Sequence, residues 1–272
     1  MIIFNLIIES IFNLFSIFGV FIVFGLAFNL LEIKNNKLLY LSFGEKGLLI
    51  TGFVGTIVHE LSHLIMALIF NHKIIKVELF RPFKYKEDGV LGYVNHTYNT
   101  KSIYQQIGNF FIGIAPMIFG TLIIWILLFI FSDFNFNDLI SFVDIHVYLK
   151  YIQEFNIFKI IQSLVFNTII LLKTILSFDF KSVILIFLIY SISSHMTLSI
   201  LDLKGSFKGL TFAFFIIILL TLVSNILGLK YLFSTFAMLK LTIYTSIFLS
   251  LGLIFSLLTL FISYILYILK KK

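Results

Sequence analysis

Thr56-Ile57-Val58-His59-Glu60-Leu61-Ser62-His63 lies inside an apolar run from Gly47 to Phe70. A helix that crosses a bilayer needs roughly 20 apolar residues, and this run is long enough. The helical period then decides where its polar residues point. Positions i and i+4 differ by about 40° around the axis, so the imidazoles of His59 and His63 face one way. Two His at that spacing make half of a zinc site, and Glu60 beside them is placed to act as general base on a metal-activated water. The plainer reading is a set of polar contacts inside a helix bundle. Against it, each ionisable residue in a span costs about a few kcal/mol on insertion scales, and three fall within five positions.

Composition sets the environment. Of 272 residues, 60% are hydrophobic and 12% charged, with a mean hydropathy of +1.08. Soluble domains carry about 25% charged residues, so the chain reads as an integral membrane protein in contact with the lipid bilayer. The net charge is +7. The basic residues sit in short loops and in the tail Lys270-Lys271-Lys272, where they set topology and meet anionic lipid rather than nucleic acid. The absence of Cys leaves His, Asp and Glu as the available metal ligands. The N-terminal apolar stretch has no basic leader and no small-residue cleavage signal, and it reads as a retained anchor.

The apolar runs predict an all-α polytopic membrane protein with about six transmembrane helices. They fall near Ile11–Leu31, Gly47–Phe70, Ile107–Phe131, Val183–Leu201, Leu210–Leu227 and Thr242–Leu269. Residues 1–272 are expected to form one integral membrane domain, with a catalytic core over about 47–205 and accessory helices over about 1–35 and 208–272. Ile74–Tyr98 alternates apolar and polar residues and turns through Lys86-Glu87-Asp88-Gly89, the pattern of a small β-hairpin after the second helix. Open strand edges cannot face lipid, so the hairpin belongs at the water interface or along a protein cavity. Between the third and fourth helices, Phe142, Ile145, Tyr148, Leu149 and Ile152 predict an interfacial amphipathic helix. Ile157–Leu176, interrupted by Lys159, Gln162, Asn167 and Lys173, reads as interfacial or re-entrant; if it spanned, everything downstream would invert. Six spans place the N-terminus, the hairpin, the Asp202–Lys208 loop and the C-terminus on one side, the cytoplasmic side by the position of the tail lysines.

Catalytic zinc takes three protein ligands and keeps one position open. The candidates for a third ligand are Asp202, His195, His72, His96, His146 and Glu9. Asp202 is favoured, because the end of the fourth predicted span lies on the same side as His63 and at similar depth. His195, seven residues earlier, reads as a packing or supporting residue and next as a substrate contact. Asn95 and His96 end the second predicted strand, as turn residues or as substrate contacts. Pro116 reads as a kink in the third span that makes room for water.

Four features occur in the order found in the site-2 protease family of intramembrane zinc metalloproteases, which the chain resembles over about Thr51–Gly205. They are the His59–His63 motif in a membrane helix, the hairpin region Ile74–Tyr98, the element Gly113-Ile114-Ala115-Pro116, and Leu201-Asp202 near the end of a later helix. The resemblance implies a zinc ion held by His59, His63 and Asp202, with Glu60 as catalytic base. It also implies a membrane protein or membrane-embedded peptide as substrate, received by the hairpin as an added strand. The expected setting is a bacterial cell membrane with the site towards the cytoplasm. The chain departs from the family where Leu203 follows Asp202 in place of Gly, and where Asn and Pro are missing ahead of Asp202. These departures describe a divergent member. They leave a second reading, a non-proteolytic zinc-binding membrane protein that regulates a partner; the ionisable residues within the spans leave a third, a metal or ion transporter. The sequence does not specify an oligomeric state.

Overall fold

The computed structural model describes the backbone of residues 2–176, 179–198, 200–228 and 235–271, and their side chains apart from 2–6, 17, 136, 200–208, 210, 213, 225 and 226. Along the chain the elements are α1 (Ile2–Phe43), α2 (Glu45–Ile69), β1 (Lys73–Glu78), α3 (Tyr85–Asp88), β2 (Tyr93–Thr97) and α4 (Ile103–Phe131). They continue as α5 (Phe136–Phe142), α6 (Ile145–Gln153), α7 (Ile157–Ile175), α8 (Phe180–Ser193), α9 (Ile200–Ile226) and α10 (Thr235–Lys271). Among the described residues, five helices are long and apolar enough to cross a membrane: Ile7–Phe43 of α1, then α2, α4, α7 and α10. Their surfaces carry large apolar residues while small polar ones are buried along with the apolar core. Val23, Ile50, Phe129 and Phe261 are exposed, whereas Ser10, Asn35, Thr56 and Ser263 are buried. Lipid is as apolar as Leu, so small and polar side chains hold such helices together. Ser263 donating to Asn35 at 2.9 Å is one such contact.

The helix pattern departs from expectation in three places. Ile157–Ile175, read as interfacial or re-entrant, forms a 19-residue helix that is long and apolar enough to cross a membrane. Its polar residues are absorbed locally: Asn156 caps the first turn, and Asn167 donates to the Tyr148 hydroxyl at 2.9 Å. The expected span Val183–Leu201 is broken, because α8 stops at Ser193 and residues 194–198 leave the helix before α9 begins at Ile200. The amphipathic stretch of residues 142–152 is split at Val143-Asp144, with Asp144 capping α6 by accepting from the His146 amide. The periodicity there counted a capping carboxylate as a polar-face residue.

Two compact units are defined by contacts. One comprises Met1–Phe21, Ile124–Ile186 and Phe214–Leu251; in it the Glu9 carboxylate accepts from both the amide and hydroxyl of Thr235 at the start of α10. The other comprises Ile22–Ile123, Phe187–Ala213 and Gly252–Lys272, and it holds the His59–His63 motif. In this second unit α1 turns into α2 at Gly44, whose φ of 62° and ψ of −152° only glycine adopts readily. Lys270 of α10 donates to the Ser42 carbonyl at 2.6 Å. The end of α10 therefore lies at the N-terminal end of α2, not at its C-terminal end as six spans required.

The hairpin is antiparallel, with Val77 opposite Val94 and Glu78 opposite Tyr93. Its connection is not the tight Asp-Gly turn expected. Residues 79–92 fold into a longer excursion containing α3 and closed by Gly89 in the left-handed conformation. Pro82 has no amide to continue the ladder. Arg81 gathers the excursion by pairing with Asp88 at 2.8 Å and Glu78 at 3.3 Å. The hairpin lies along α2: Phe80 packs edge-on to Phe53, and Lys86 reaches Glu45 at 3.8 Å.

At the other end of the hairpin, His72 is buried, donates from Nε2 to the Gln105 carbonyl at 2.8 Å and stacks on Tyr98. Its Nδ1 therefore accepts from His96 Nδ1, 2.9 Å away. Burial lowers the pKa of His72 from its ordinary value, and the Gln105 bond opposes that only in part. A lowered folded pKa gives stability that is full above about 6.5 and is lost as pH falls towards the folded value. Protection factors for amide exchange over Tyr93–Tyr98, corrected for the intrinsic pH dependence of exchange, are expected to fall between pH 7 and pH 5, and His72→Phe is expected to lose most of that fall. Protection independent of pH in the unmodified protein would contradict this account.

Candidate metal centre

α2 presents His59 and His63 on one face, with ring centroids 4.7 Å apart and Nε2 atoms 3.0 Å apart. Each ring is held from behind. His59 Nδ1 donates to the His195 carbonyl at 2.7 Å, and His63 Nδ1 donates to the Ile112 carbonyl at 2.8 Å. A neutral imidazole carries one proton, so both Nε2 atoms carry lone pairs. Two facing lone pairs repel, and a metal cation or a shared proton relieves that repulsion. Tetrahedral zinc with Zn–N bonds of about 2.0–2.1 Å holds its nitrogens roughly 3.3 Å apart, so the pair fits a metal after a shift of a few tenths of an ångström. Backbone carbonyls behind metal-binding imidazoles are the usual means of fixing tautomer and orientation.

The carbonyl of His195 is available because α8 ends at Ser193. Irregular backbone within a membrane protein must find partners inside the protein. Here Asn29 donates to the Leu198 carbonyl at 2.9 Å and His59 takes that of His195. Close approach of this segment to α2 depends on glycine. A Cβ built at Gly55 would strike the Ser191 carbonyl and lie 2.7 Å from His195 Nδ1. Ser191 ties the same two segments, donating to the Thr51 carbonyl at 2.8 Å and accepting from the Gly55 amide at 3.0 Å.

Glu60 is half-buried beside the pair and lines a cleft of about 270 Å³ with His59, His195, Thr56, Glu32 and Asn36. The hairpin closes one wall: a Cβ built at Gly92 would lie 2.9 Å from Glu60 Cγ. Tyr85 and Gly89 continue the wall towards the end of α2 that carries Glu45. A larger cavity of about 580 Å³ lies between α1 and α10, but its lining is aliphatic and aromatic apart from Lys34 and Lys37, which is unsuited to hydrolysis.

The structure thus brings together His59, Glu60, His63 and His195, the last through both its carbonyl and its ring. Asp202 lies on the first turn of α9, after the break rather than at the end of a continuous span; its side chain is outside the described residues. Among the described residues, no three His, Cys, Asp or Glu side chains cluster around one point. Asn95 is exposed opposite Lys76, and His96 pairs with His72 at the far end of the hairpin. Asn29, Glu32 and Asn36 were not singled out by the sequence reading, although a run of polar residues ending a span signals a wet or buried role. Comparison with known proteins returns no matching family model, no matching curated protein and no matching solved structure.

Gly55→Leu should push Ser191 and His195 away from α2 and withdraw the carbonyl behind His59. Zinc affinity, read by competition titration in detergent, is expected to fall at least tenfold. Gly19→Leu, where an added Cβ meets nothing within 4 Å, should leave it unchanged.

Proposed function

We propose that the protein is an intramembrane zinc metalloprotease that hydrolyses a peptide bond in or near a membrane-spanning substrate segment. The observation that carries this reading is the His59–His63 pair, with both Nδ1 protons committed to backbone carbonyls and Glu60 beside it in a polar cleft. His59 and His63 hold the zinc, and Asp202, one turn beyond the unwound segment, is the third ligand. Zinc, when bound, supplies Lewis acidity that acidifies water and polarises the scissile carbonyl. Glu60 accepts the proton of the attacking water and returns it to the leaving amine. The cleft brings that water past Glu32, Asn36 and Tyr85.

The substrate must present an unwound peptide, because helical peptide bonds are already hydrogen-bonded. The two-stranded sheet has outer edges that can accept a further strand, and Gly92, just ahead of β2, sits against Glu60. A substrate strand added there would run towards the catalytic carboxylate. Lys86 pairs with Glu45 and Lys270 donates to the Ser42 carbonyl, so both lie with Lys46 near the α1–α2 turn, and positive residues mark the cytoplasmic side of a cell membrane. The cleft leads towards that side, so water reaches the site from the cytoplasm.

Glu60→Gln is expected to retain zinc and lose at least a hundredfold in cleavage of a membrane-helix peptide in proteoliposomes. His59→Ala should lose the metal itself. Zinc bound by the unmodified protein without cleavage of any such peptide would turn the reading to a zinc-dependent regulator. Asp202→Ala should bind zinc more weakly, and an unchanged affinity would remove Asp202 from the ligand set.

A further inference from the structure

A proline inside a helix withholds the amide that would close onto the carbonyl four residues earlier. Pro116 lies inside α4, so the carbonyl it leaves without a helical donor is that of Ile112. This is the carbonyl that accepts from His63 Nδ1 at 2.8 Å. The surroundings offer little water as a substitute: Ile112 is 5% exposed, Ala115 and Met117 are 0%, and His63 is 8%. A backbone acceptor in such a place needs a donor from the protein.

We propose that Pro116 is a positioning residue for His63. By withholding its amide it leaves the Ile112 carbonyl as a fixed acceptor. That acceptor sets the tautomer and ring orientation of His63, so that Nε2 faces His59. The register is specific, since a proline one residue earlier would release the Phe111 carbonyl, about 100° around the helix. The arrangement repeats the one behind His59, where the end of α8 makes the His195 carbonyl available. The consequence for metal affinity rests on the proposed zinc site; the effect on the His63 tautomer does not.

The test uses the full-length protein in lipid nanodiscs with 15N-labelled histidine, the His63 signals being assigned by their loss in His63→Gln. In the metal-free protein His63 is expected as a uniform Nδ1–H tautomer. Pro116→Ala and Pro116→Gly both restore an amide that competes for the Ile112 carbonyl. Both should give mixed tautomers at His63, and zinc affinity should fall at least tenfold by competition titration. A role in bending the helix alone predicts that the flexible Pro116→Gly retains the original tautomer and affinity, and that result would overturn the proposal. An unchanged His63 tautomer in Pro116→Ala would overturn it equally. Mixed tautomers in both variants of a protein that binds no zinc would support the positioning role while refuting the zinc site.

Discussion

Inside a bilayer a backbone carbonyl without a donor is costly, and this constraint organises the candidate site. Two helices are interrupted near α2: α4 carries Pro116, and α8 stops at Ser193. Each interruption leaves a carbonyl that needs a donor, and the donors are the Nδ1 atoms of His63 and His59. Satisfying the backbone and orienting the imidazoles are therefore one act. The rings cannot turn without leaving a buried acceptor unmet, which keeps both Nε2 atoms on one point. A site held this way is pre-organised by the fold, as metal sites require.

The same economy explains why a strand pair lies against a membrane helix. Gly52 and Gly55 remove side-chain bulk from α2, so the unwound segment after α8 and the excursion between β1 and β2 both come close. The excursion carries Arg81 and Asp88, and Arg81 pairs with Asp88 and with Glu78 at the end of β1. Polar groups from Glu32 to Tyr85 then line one continuous cleft from Glu60. The proposed hydrolysis needs such a wet path, and the largely apolar cavity between α1 and α10 does not offer one.

Much of the fold was legible from the chain because its signals are local. The apolar run around His59 marks a span, and the i, i+4 spacing places both imidazoles on one face. Alternation over residues 74–98 marks two strands. The errors have physical causes as well. Lys159 and Asn167 were counted as breaks in Ile157–Ile175, whereas the helix runs through both and Asn167 is spent on Tyr148. Val183–Leu201 looked continuous because hydropathy cannot see a helix ending among Ser193, Ser194 and His195. The turn at Asp88-Gly89 was read as a hairpin tip, but Pro82 and the pairings of Arg81 make it the end of a short helix in a longer loop.

The sequence by itself determined the membrane class, the paired histidines, the neighbouring carboxylate and the strand segments, since each depends on residues within a few turns of one another. Only the tertiary structure decided which carbonyls hold the rings, that His195 joins the site, that His96 turns instead to His72, and which end of α2 the cleft leads to. Those outcomes depend on partners 24 to 169 residues away in the chain, such as His72 for His96 and Leu198 for Asn29. No local pattern records such pairs. The two behind His59 and His63 follow from where interrupted helices leave backbone groups in need of a donor.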